Sequence, residues 1–493
     1  NWNKQKSFRP LPIFSKQLSN TLYPLIPGTC FRVFYCEGDD ELSLKGSEID
    51  VRIVEQEFGG KSISYYDGMK VVTNHGVVGQ MVRVKIKKVK QSYIEGDIIQ
   101  VFERSKLETD NKCRHFELCG GCSMQGVRYD EQVKLKESQV RKLFANKELE
   151  VNKWLPTVSS SRVYGYRNKM EFSFGNQHKD GPLTLGMHQR GRRFDVVDTS
   201  HCNIIDEDFR KIRNVTAEYF RDKGYQPYHK ISHEGILRHL VIRKGAHTGE
   251  ILVNLVTTSF QELPVQEWKA ELLTLALEGE IKGIVWTCND GVADVVRSDR
   301  LNLLYGTSTF QEKLLGLSFT ITPFSFFQTN SFGAEDLYAN VLNLIEEEDT
   351  EVADLYCGLG TITQLVAQKA ARVTGIELVE EAVNQARIDA ENNGFNNCRF
   401  IAGDVKHELS KIDTGIDVII VDPPRPGVHM KAMEDLLNLS SRKMIYISCN
   451  PKTLVENLAQ SQKLNWEIKA VRCVDLFPHT PHMEVIVYLL NNN

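Results

Sequence analysis

Cys449 is the residue of this sequence whose type and position best suit chemistry. It follows the short apolar run 444–447, and an earlier apolar run, 418–421, leads into Asp422 and a proline-stiffened loop. Open α/β sheets place reactive groups where buried strands end, so both positions are candidates for one active site. A free cysteine at a strand end is more often a small apolar filler. Cys449 is therefore a candidate nucleophile that the rest of the chain has to support.

A glycine turn within residues 352–361 predicts a site for a nucleoside cofactor. Gly358 and Gly360 follow an apolar strand and allow a ligand to approach the backbone closely. The next strands end at Glu377, placed to accept hydrogen bonds from ribose hydroxyls, and at Asp404, near where an adenine would lie. The third glycine of the dinucleotide fingerprint is missing, so a pyrophosphate has no cradle. S-adenosylmethionine, which has no phosphate, fits this pattern better than an incidental α/β turn does.

Four cysteines predict a metal site. Cys113, Cys119 and Cys122 lie close together, with two glycines before the third, and Cys202 is remote in the sequence. Three cysteines this close are hard to explain as core filling. Four thiolates hold either zinc or an iron–sulfur cluster, and spacing alone does not choose between the two.

Composition describes an ordinary soluble chain in a reducing compartment. The 493 residues are 41% hydrophobic and 25% charged, enough for about two to four domains. The eleven cysteines are dispersed and no apolar signal-peptide core begins the chain, which favours the cytoplasm. No apolar run approaches the ~18 residues that a membrane helix needs. The net charge of −4 means that a polyanion would have to be met by local basic patches.

The elements that position these residues fall into four predicted segments. Residues 1–44 form an extension of unreadable role, and residues 45–105 alternate like a small OB-like β-barrel. Residues 106–318 are predicted to form a β-rich central domain that includes the four cysteines. Residues 319–493 alternate strand and helix, the pattern of a doubly wound, Rossmann-like α/β domain.

Basic residues in the first two folded segments predict a nucleic-acid partner. Strand 81–90 carries five cations and no acid, which favours a phosphate-contacting patch over a solvated edge strand. In the central segment Arg167 and Lys169 stand among aromatic residues such as Tyr164 and Phe172. Cations interleaved with aromatic rings suit a folded RNA with unstacked bases, although each cluster alone also fits a solvent-facing strand.

Five motifs occur in the order seen in RNA uracil-5 methyltransferases, and the chain resembles that family. The motifs are Phe326-Phe327-Gln328-Thr329-Asn330, Asp354–Gly360, Asp422-Pro423-Pro424-Arg425-Pro426-Gly427, Ser448-Cys449-Asn450-Pro451 and Phe477–Glu484. The barrel segment resembles a TRAM domain. With its four cysteines, the chain looks like the iron–sulfur branch of the family that modifies 23S ribosomal RNA.

The resemblance implies a nucleophile and a base. Cys449 would be the nucleophile and Glu484 the proton acceptor, while His479 and His482 are rival bases a few residues away. Carbon 5 of uracil is too weak a nucleophile to take a methyl group unaided. A thiolate that adds to C6 pushes electron density onto C5, and a base must later remove the C5 proton.

The resemblance also implies binding residues. The four cysteines would hold a [4Fe–4S] cluster, and Phe326 would stack on the target base, with Arg167 and Lys169 as further substrate contacts. The residues implied to bind the methyl donor are Gln328, Tyr356, Gly358, Gly360, Thr361, Glu377, Asp404 and Asp422.

The sequence thus predicts an enzyme that uses S-adenosylmethionine to methylate C5 of a specific uridine in 23S rRNA. We expect it to work in the cytoplasm, with RNA as its partner and without an obligate protein partner or membrane. The same reaction on tRNA, or on C5 of cytosine, remains open. A different class of function also remains open, a non-catalytic RNA-binding protein whose cluster senses oxidation.

Overall fold

The computed structural model describes residues 44–110, 112–179, 181–192, 194–259, 263–291, 300–409, 415–439 and 441–492. The predicted extension therefore lies outside the described residues, except for its last position. Within these ranges no helix has both the length and the apolar character that crossing a membrane requires. The helices they contain are α1 (Tyr129–Asn146), α2 (Glu207–Asp222), α3 (Val265–Leu273), α4 (Ser331–Leu342), α5 (Thr361–Val366), α6 (Glu380–Asn392), α7 (Val405–Glu408), α8 (Met430–Leu437) and α9 (Pro451–Ser461).

The first sheet is the predicted all-β unit. Its six strands lie in the order β1-β5-β6-β4-β3-β2, and only the β4–β6 pairing is parallel. Alternation along β5 buries Val82, Val84 and Ile86 in a small core and turns the residues between them outward. The strands are β1 (Glu48–Arg52), β2 (Glu55–Glu57), β3 (Lys61–Tyr66), β4 (Met69–Asn74), β5 (Met81–Val89) and β6 (Tyr93–Glu103).

Four of the five cations in the segment 81–90 lie near acids, which the sequence of this segment alone did not show. Arg83 donates two hydrogen bonds to Asp50, at 2.8 and 2.9 Å. Lys87 lies 2.5 Å from Asp97, and two further lysines lie within 4 Å of Glu95. Antiparallel pairing brings these acids from β1 and β6, where a view of one strand alone does not show them.

The second sheet has seven strands in the order β13-β12-β11-β10-β7-β8-β9. Helices α2 and α3 cover one face, where Phe209, Phe220 and Trp268 pack against Phe172 and Leu240 of the sheet. The strands are β7 (Lys169–Asn176), β8 (Leu183–His188), β9 (Val196–Asp198), β10 (Leu237–Lys244), β11 (Glu250–Thr257), β12 (Glu280–Cys288) and β13 (Arg300–Gly306).

A hairpin of β14 (Phe310–Leu314) and β15 (Leu317–Ile321) follows. Its Phe310 and Phe319 share a core with Leu337 of α4 and with the third sheet. The boundary predicted between residues 318 and 319 falls inside β15.

The third sheet confirms the predicted doubly wound α/β architecture. Its strand order is β18-β17-β16-β19-β20-β22-β21, with parallel pairing throughout except along β22. Helices α8 and α9 pack on one face, and α4 and α5 pack on the other. The strands are β16 (Glu351–Leu355), β17 (Arg372–Glu377), β18 (Cys398–Ala402), β19 (Val418–Val421), β20 (Lys443–Ser448), β21 (Trp466–Val474) and β22 (Glu484–Asn491).

Part of the predicted central segment packs on this third sheet. Val140 and Phe144 of α1 are buried in the same core as Leu454 of α9. Beyond α1, the chain runs beside β21, where isolated bridges join Val151, Trp154 and Val158 to that strand. The cysteine segment, which contains Cys113, Cys119 and Cys122, directly precedes α1. The docking of α1 therefore brings the cysteine segment close to the α/β domain.

Candidate active site

Strand pairing brings Cys449 and Glu484 to one edge of the third sheet. Cys449 follows the last residue of β20, and Glu484 is the first residue of the antiparallel strand β22. Ser448 and Val485 are register partners, so the two candidate residues occupy the next opposed positions along these strands. Asp422 follows the neighbouring parallel strand β19 and ends at the same edge.

The thiol of Cys449 lies in a partly buried, acidic setting. Burial and the negative charges of Glu484 and Asp422, against the opposing charge of Arg425, together raise its pKa to about 11. The thiol of the protein alone is therefore protonated at neutral pH. A step that uses its thiolate has to supply an acceptor for the proton.

Glu484 has the protonation behaviour of a general base that works near neutral pH. Only 3% of its surface is exposed. Burial and the charge of Asp422, against the opposing charge of Arg425, together raise its pKa to about 8. Burial and the charge of Asp354 likewise raise the pKa of Asp422 to about 7. Burial is the main cause of both shifts, and repulsion between neighbouring carboxylates adds to it.

The loop that carries Arg425 is fastened to the turn after Cys449. The Arg425 carbonyl accepts hydrogen bonds from the Asn450 amide at 2.9 Å and from the Thr453 hydroxyl at 3.2 Å. Asn450 also caps α9 by accepting from the amide of Lys452. The Arg425 guanidinium reaches the His482 ring at 3.4 Å. These contacts fix a cation beside both the candidate nucleophile and the candidate base.

The two rival histidines are poor bases in this setting. Burial lowers the pKa of His482 to about 4, with the charges of Arg425, Lys136 and Arg167 acting in the same direction. Burial also lowers the pKa of His479 to about 4. A general base is most effective when its pKa lies near the working pH, so Glu484 is better placed than either histidine.

The glycine turn after β16 forms the candidate cofactor site. Tyr356, Gly358 and Gly360 adopt left-handed conformations, with φ of +65°, +55° and +70°. The carboxylate of Glu377 accepts a hydrogen bond from the Gly358 amide at 3.1 Å, which braces the turn. Thr361 is the first residue of α5 and is buried.

Asp354 fits a cofactor that brings a hydrogen-bond donor. Its Oδ2 accepts from the Thr363 hydroxyl at 2.6 Å, whereas its buried Oδ1 has no hydrogen-bond partner among the described residues. A buried acceptor without a partner is costly, so a donor from a bound molecule would satisfy it. Asp354 was not among the predicted cofactor residues, although it begins the second of the five motifs.

Two further predicted cofactor residues are Asp404, which acts electrostatically on Tyr356 of this turn, and Gln328. Asp404 caps α7 by accepting from the Lys406 amide at 2.9 Å, and its charge helps burial to raise the pKa of Tyr356 to about 12. Gln328 is buried, and its backbone carbonyl accepts a hydrogen bond from the side-chain amide of Asn168 at 3.2 Å.

Tyr338 lies near the candidate residues Asp422, Glu484 and Gln328, although its sequence position did not predict this. It is buried on α4, and burial raises its pKa well above the usual value. The charges of Asp422 and Glu484 act in the same direction, while a hydrogen bond with Gln328 opposes them. Its position in the apolar stripe of a helix is typical of a core residue. The sequence carries no signal that distinguishes a core tyrosine from one that lies beside the candidate active-site carboxylates.

The candidate substrate residues differ in availability. Phe326 is 73% exposed, as expected of a side chain that stacks on a base. Arg167 donates to the Lys169 carbonyl at 3.0 Å and acts electrostatically on His482, so it lies near the loop that leads into Glu484. Lys169 is instead paired with Glu171 at 2.6 Å, which reduces its value as a phosphate contact.

The four predicted metal-binding cysteines come together, but not as a recognisable metal site. Burial, together with the nearby thiols of Cys202, Cys119 and Cys113, raises the pKa of Cys122 to about 12. The Cys119 sulfur accepts from the Gly121 amide at 3.4 Å, and Cys122 accepts from Gln125 at 3.6 Å. Across the described part of the chain, however, no group of three or more His, Cys, Asp or Glu residues is arranged so that it could hold a metal ion.

Known proteins match this chain over most of its length. A family model for tRNA (uracil-5-)-methyltransferases matches residues 311–492, and a TRAM domain model matches residues 42–99. An uncharacterized RNA methyltransferase of Clostridium tetani is 46% identical, over 90% of this chain and 98% of its own. A second, from Caldanaerobacter subterraneus, is 42% identical over 90% and 98%. The crystal structure of Pyrococcus abyssi tRNA (uracil-54, C5)-methyltransferase with S-adenosyl-L-homocysteine has a TM-score of 0.71 and 25% identity, and covers 89% of this chain and 99% of its own.

Proposed function

The chain belongs to the family of S-adenosylmethionine-dependent RNA uracil-5 methyltransferases, and from this premise we propose that it methylates a specific uridine of 23S rRNA through a covalent cysteine adduct. The observation that carries the proposal is the pairing of Cys449 and Glu484 at the end of β20 and the start of β22, beside Asp422.

Cys449 and Glu484 divide the chemistry between them. Once its proton has passed to a base, Cys449 adds to C6 of the uracil, and the electrons of the C5–C6 double bond become available at C5. When bound, S-adenosylmethionine would supply an electrophilic methyl group, so that C5 forms a carbon–carbon bond to it while the sulfonium C–S bond breaks and S-adenosylhomocysteine leaves. Glu484 then removes the C5 proton while the C6–S bond breaks, which restores the double bond and the thiolate. The proton leaves Glu484 for solvent.

The electrostatics of the edge support these roles. A pKa of about 8 lets Glu484 exchange its proton near neutral pH. Arg425 favours the anionic forms of both Cys449 and Glu484. The target uridine has to leave its stack to reach this edge, so the substrate is an unpaired or flipped base. Phe326 and Arg167 are our candidates for holding it.

We assign the methyl donor to the turn after β16 and its neighbours. The unpartnered Oδ1 of Asp354 and the left-handed glycine turn both fit a nucleoside ligand there. The residues that we propose to hold it are Gln328, Tyr356, Gly358, Gly360, Thr361, Glu377, Asp404 and Asp422.

We also propose that Cys113, Cys119, Cys122 and Cys202 hold a [4Fe–4S] cluster. Amide donors fit thiolate ligands, and Cys202 is surrounded by such groups, since backbone amides of Ile204 and Ile205 lower its pKa against the effect of burial. The cluster would act structurally. A colourless protein, free of iron and with an unchanged melting temperature, would contradict this assignment.

tRNA is the second candidate substrate, because the matching family model and the Pyrococcus abyssi enzyme both carry tRNA in their names. With either RNA as substrate, we propose that the enzyme works in the cytoplasm. The test is to incubate the protein with methyl-labelled donor and either a 23S rRNA transcript or unmodified tRNA, then digest the RNA to nucleosides. We expect label in 5-methyluridine from 23S rRNA. Label in the tRNA alone would show that tRNA, rather than 23S rRNA, is the substrate. Label on an exocyclic nitrogen, a ribose oxygen or C5 of cytosine would overturn the proposed chemistry.

A further inference from the structure

A cavity of about 820 Å³ lies beside the second sheet, outside the catalytic edge. Its walls come from the end of β7, the chain before β9, and the segment 226–235 that leads into β10. Its size is that of pockets which take a nucleotide-sized ligand. Nothing in the proposed methyl transfer uses it.

The lining combines cations with aromatic rings. Arg238 is 3% exposed, and its guanidinium lies 4.5 Å from the centre of the Tyr228 ring. The same guanidinium donates to the carbonyls of Asn289 and Gly291, both at 2.7 Å, which fixes its orientation. Phe194 presents a ring that is 45% exposed.

Histidine is concentrated in the same place. Four of the chain's 13 histidines line the cavity, together with Lys179, Lys230 and Arg238, against the acids Asp195 and Glu234. In a chain of net charge −4, this is a local concentration of hydrogen-bond donors and cations. Such a surface suits a ligand that has both an aromatic face and a phosphate.

Strand β7 connects the cavity to the catalytic edge. It begins at Lys169, beside Arg167, and its Ser173 lines the cavity. Four residues of strand separate these positions, a distance of about 13 Å at ~3.3 Å per residue. A few nucleotides of single-stranded RNA bridge such a distance.

We propose that this cavity holds an unstacked nucleotide of the RNA substrate, a few positions from the target uridine. The base lies against the rings of Tyr228 or Phe194, and its phosphate faces Lys230 and Lys179. This inference rests on the proposed function for the identity of the substrate as RNA. It adds a second anchoring point that fixes which uridine reaches Cys449.

The test measures RNA binding by the full chain without methyl donor. The probe is a labelled single-stranded RNA of about 20 nucleotides, longer than the ~4–16 nucleotides that one single-strand-binding surface covers. We expect Phe194→Ala and Tyr228→Ala each to weaken binding about tenfold, by loss of stacking. Tyr305→Ala is the matched control, because Tyr305 is 42% exposed on β13 of the same sheet and outside the cavity. It should bind as the wild type does.

Photocrosslinking locates the contact directly. The same RNA, with 4-thiouridine in place of uridine, should crosslink to peptides within residues 226–239, and less so in Phe194→Ala. Wild-type affinity in both cavity variants, or crosslinks confined to the α/β domain, would overturn the inference and leave the cavity to a ligand other than RNA. Cys449→Ala, run in parallel, tests the methylation chemistry separately, since it should keep both affinity and crosslinks while losing turnover.

Discussion

The backbone amide of Met124 donates a hydrogen bond to the backbone carbonyl of His479 at 2.9 Å, and so joins the cysteine segment to the loop that leads into Glu484. The amide of Ser123 donates to the same carbonyl at 3.0 Å. His479 is buried in a left-handed conformation, with φ of +67°, which these contacts help to maintain. The cysteine segment therefore supports the position of the candidate base, although it lies in a different sequence region.

Gln132 of α1 holds the same loop from the other side, so Gln132→Leu should slow catalysis. Its side chain accepts from the His479 amide at 2.9 Å and lies 3.1 Å from the His479 ring. Loss of both contacts leaves a buried amide unpaired, which costs about 2 kcal/mol of unfolding free energy. We expect kcat to fall about tenfold, because a small displacement of a catalytic group is enough for such a loss, while the Kd for RNA stays unchanged. Lys134→Leu, exposed on the same helix, is the control. Unchanged kcat in a destabilised Gln132→Leu protein would show that the loop is held for stability alone.

Cys449→Ala should abolish turnover and leave RNA affinity intact. The thiol is the group that forms the proposed adduct, and Cys449 directly follows β20 at the sheet edge where β22 begins with Glu484. Methyl transfer and RNA binding are measured on the same preparation. Cys398→Ala, at the start of β18, serves as a matched substitution and should retain activity. Turnover near the wild-type rate in Cys449→Ala would show that methyl transfer does not proceed through a covalent adduct with Cys449.

Glu484→Gln should trap the covalent protein–RNA adduct. The amide keeps the shape of the side chain but cannot take the C5 proton, so the methylated adduct cannot eliminate the thiol. The measurement is a slow-migrating band that resists denaturant, and the double variant with Cys449→Ala should lack it. Absence of the band, with normal release of product, would assign the proton to another group.

The same substitution should change how stability depends on pH. The folded pKa of Glu484 is about 8, above its ordinary value of 4.5, so its protonation stabilises the folded state at low pH. That contribution is lost as the pH rises from about 4.5 through about 8. Relative to the wild type, Glu484→Gln should therefore raise the melting temperature more at pH 9 than at pH 5. A difference that is constant with pH would mean that Glu484 is not buried as an acid.

The sequence predicted that the candidate catalytic residues lie at one edge of the sheet, because the carboxyl ends of parallel strands meet there. Asp422 and Cys449 each follow an apolar run, and Glu377 follows another, so their convergence needed only the rule for α/β sheets. The sequence did not show where Glu484 would lie relative to Cys449. That relation depends on the insertion of β22 as an antiparallel strand beside β20, which is a matter of topology.

Other features depended on contacts between distant segments. The cations of β5 appeared unopposed because Asp50 and Asp97 come from other strands. Tyr338 looked like a core residue because its neighbours Gln328 and Asp422 are brought to it by folding. The docking of α1 on the third sheet was hidden for the same reason, since one apolar stripe on a helix fits several surfaces equally well.

The rate of methyl transfer should rise with pH through about 8. Glu484 accepts a proton only when ionised, and burial with the charge of Asp422 sets its pKa at about 8. Arg425→Met removes the positive charge that lowers the pKa of both Glu484 and Cys449, so the rise should move to higher pH. Single-turnover rates across the pH range measure the midpoint. Arg399→Met, an exposed change on β18, should leave the midpoint in place. A midpoint in Arg425→Met at or below that of the wild type would contradict the electrostatic role of Arg425.

Gly360→Ala should be more damaging than Gly358→Ala, although both glycines are left-handed. An added side chain at φ of +70° or +55° costs about 1–2 kcal/mol in either case. At Gly360 the new Cβ would also lie 2.5 Å from the Phe400 ring, whereas at Gly358 it would meet nothing within 4 Å. That overlap adds about 1–3 kcal/mol, because Phe400 is buried against Ala386 and has little room to move.

Denaturant unfolding measures the difference between the two variants, and Gly360→Ala should have the lower free energy of unfolding. Gly358→Ala, which is free of the clash, should lose affinity for the methyl donor with a smaller loss of stability, because alanine disfavours the left-handed backbone that positions the amide of residue 358 toward Glu377. Equal stability of the two variants would mean that the turn after β16 shifts to accommodate the methyl group.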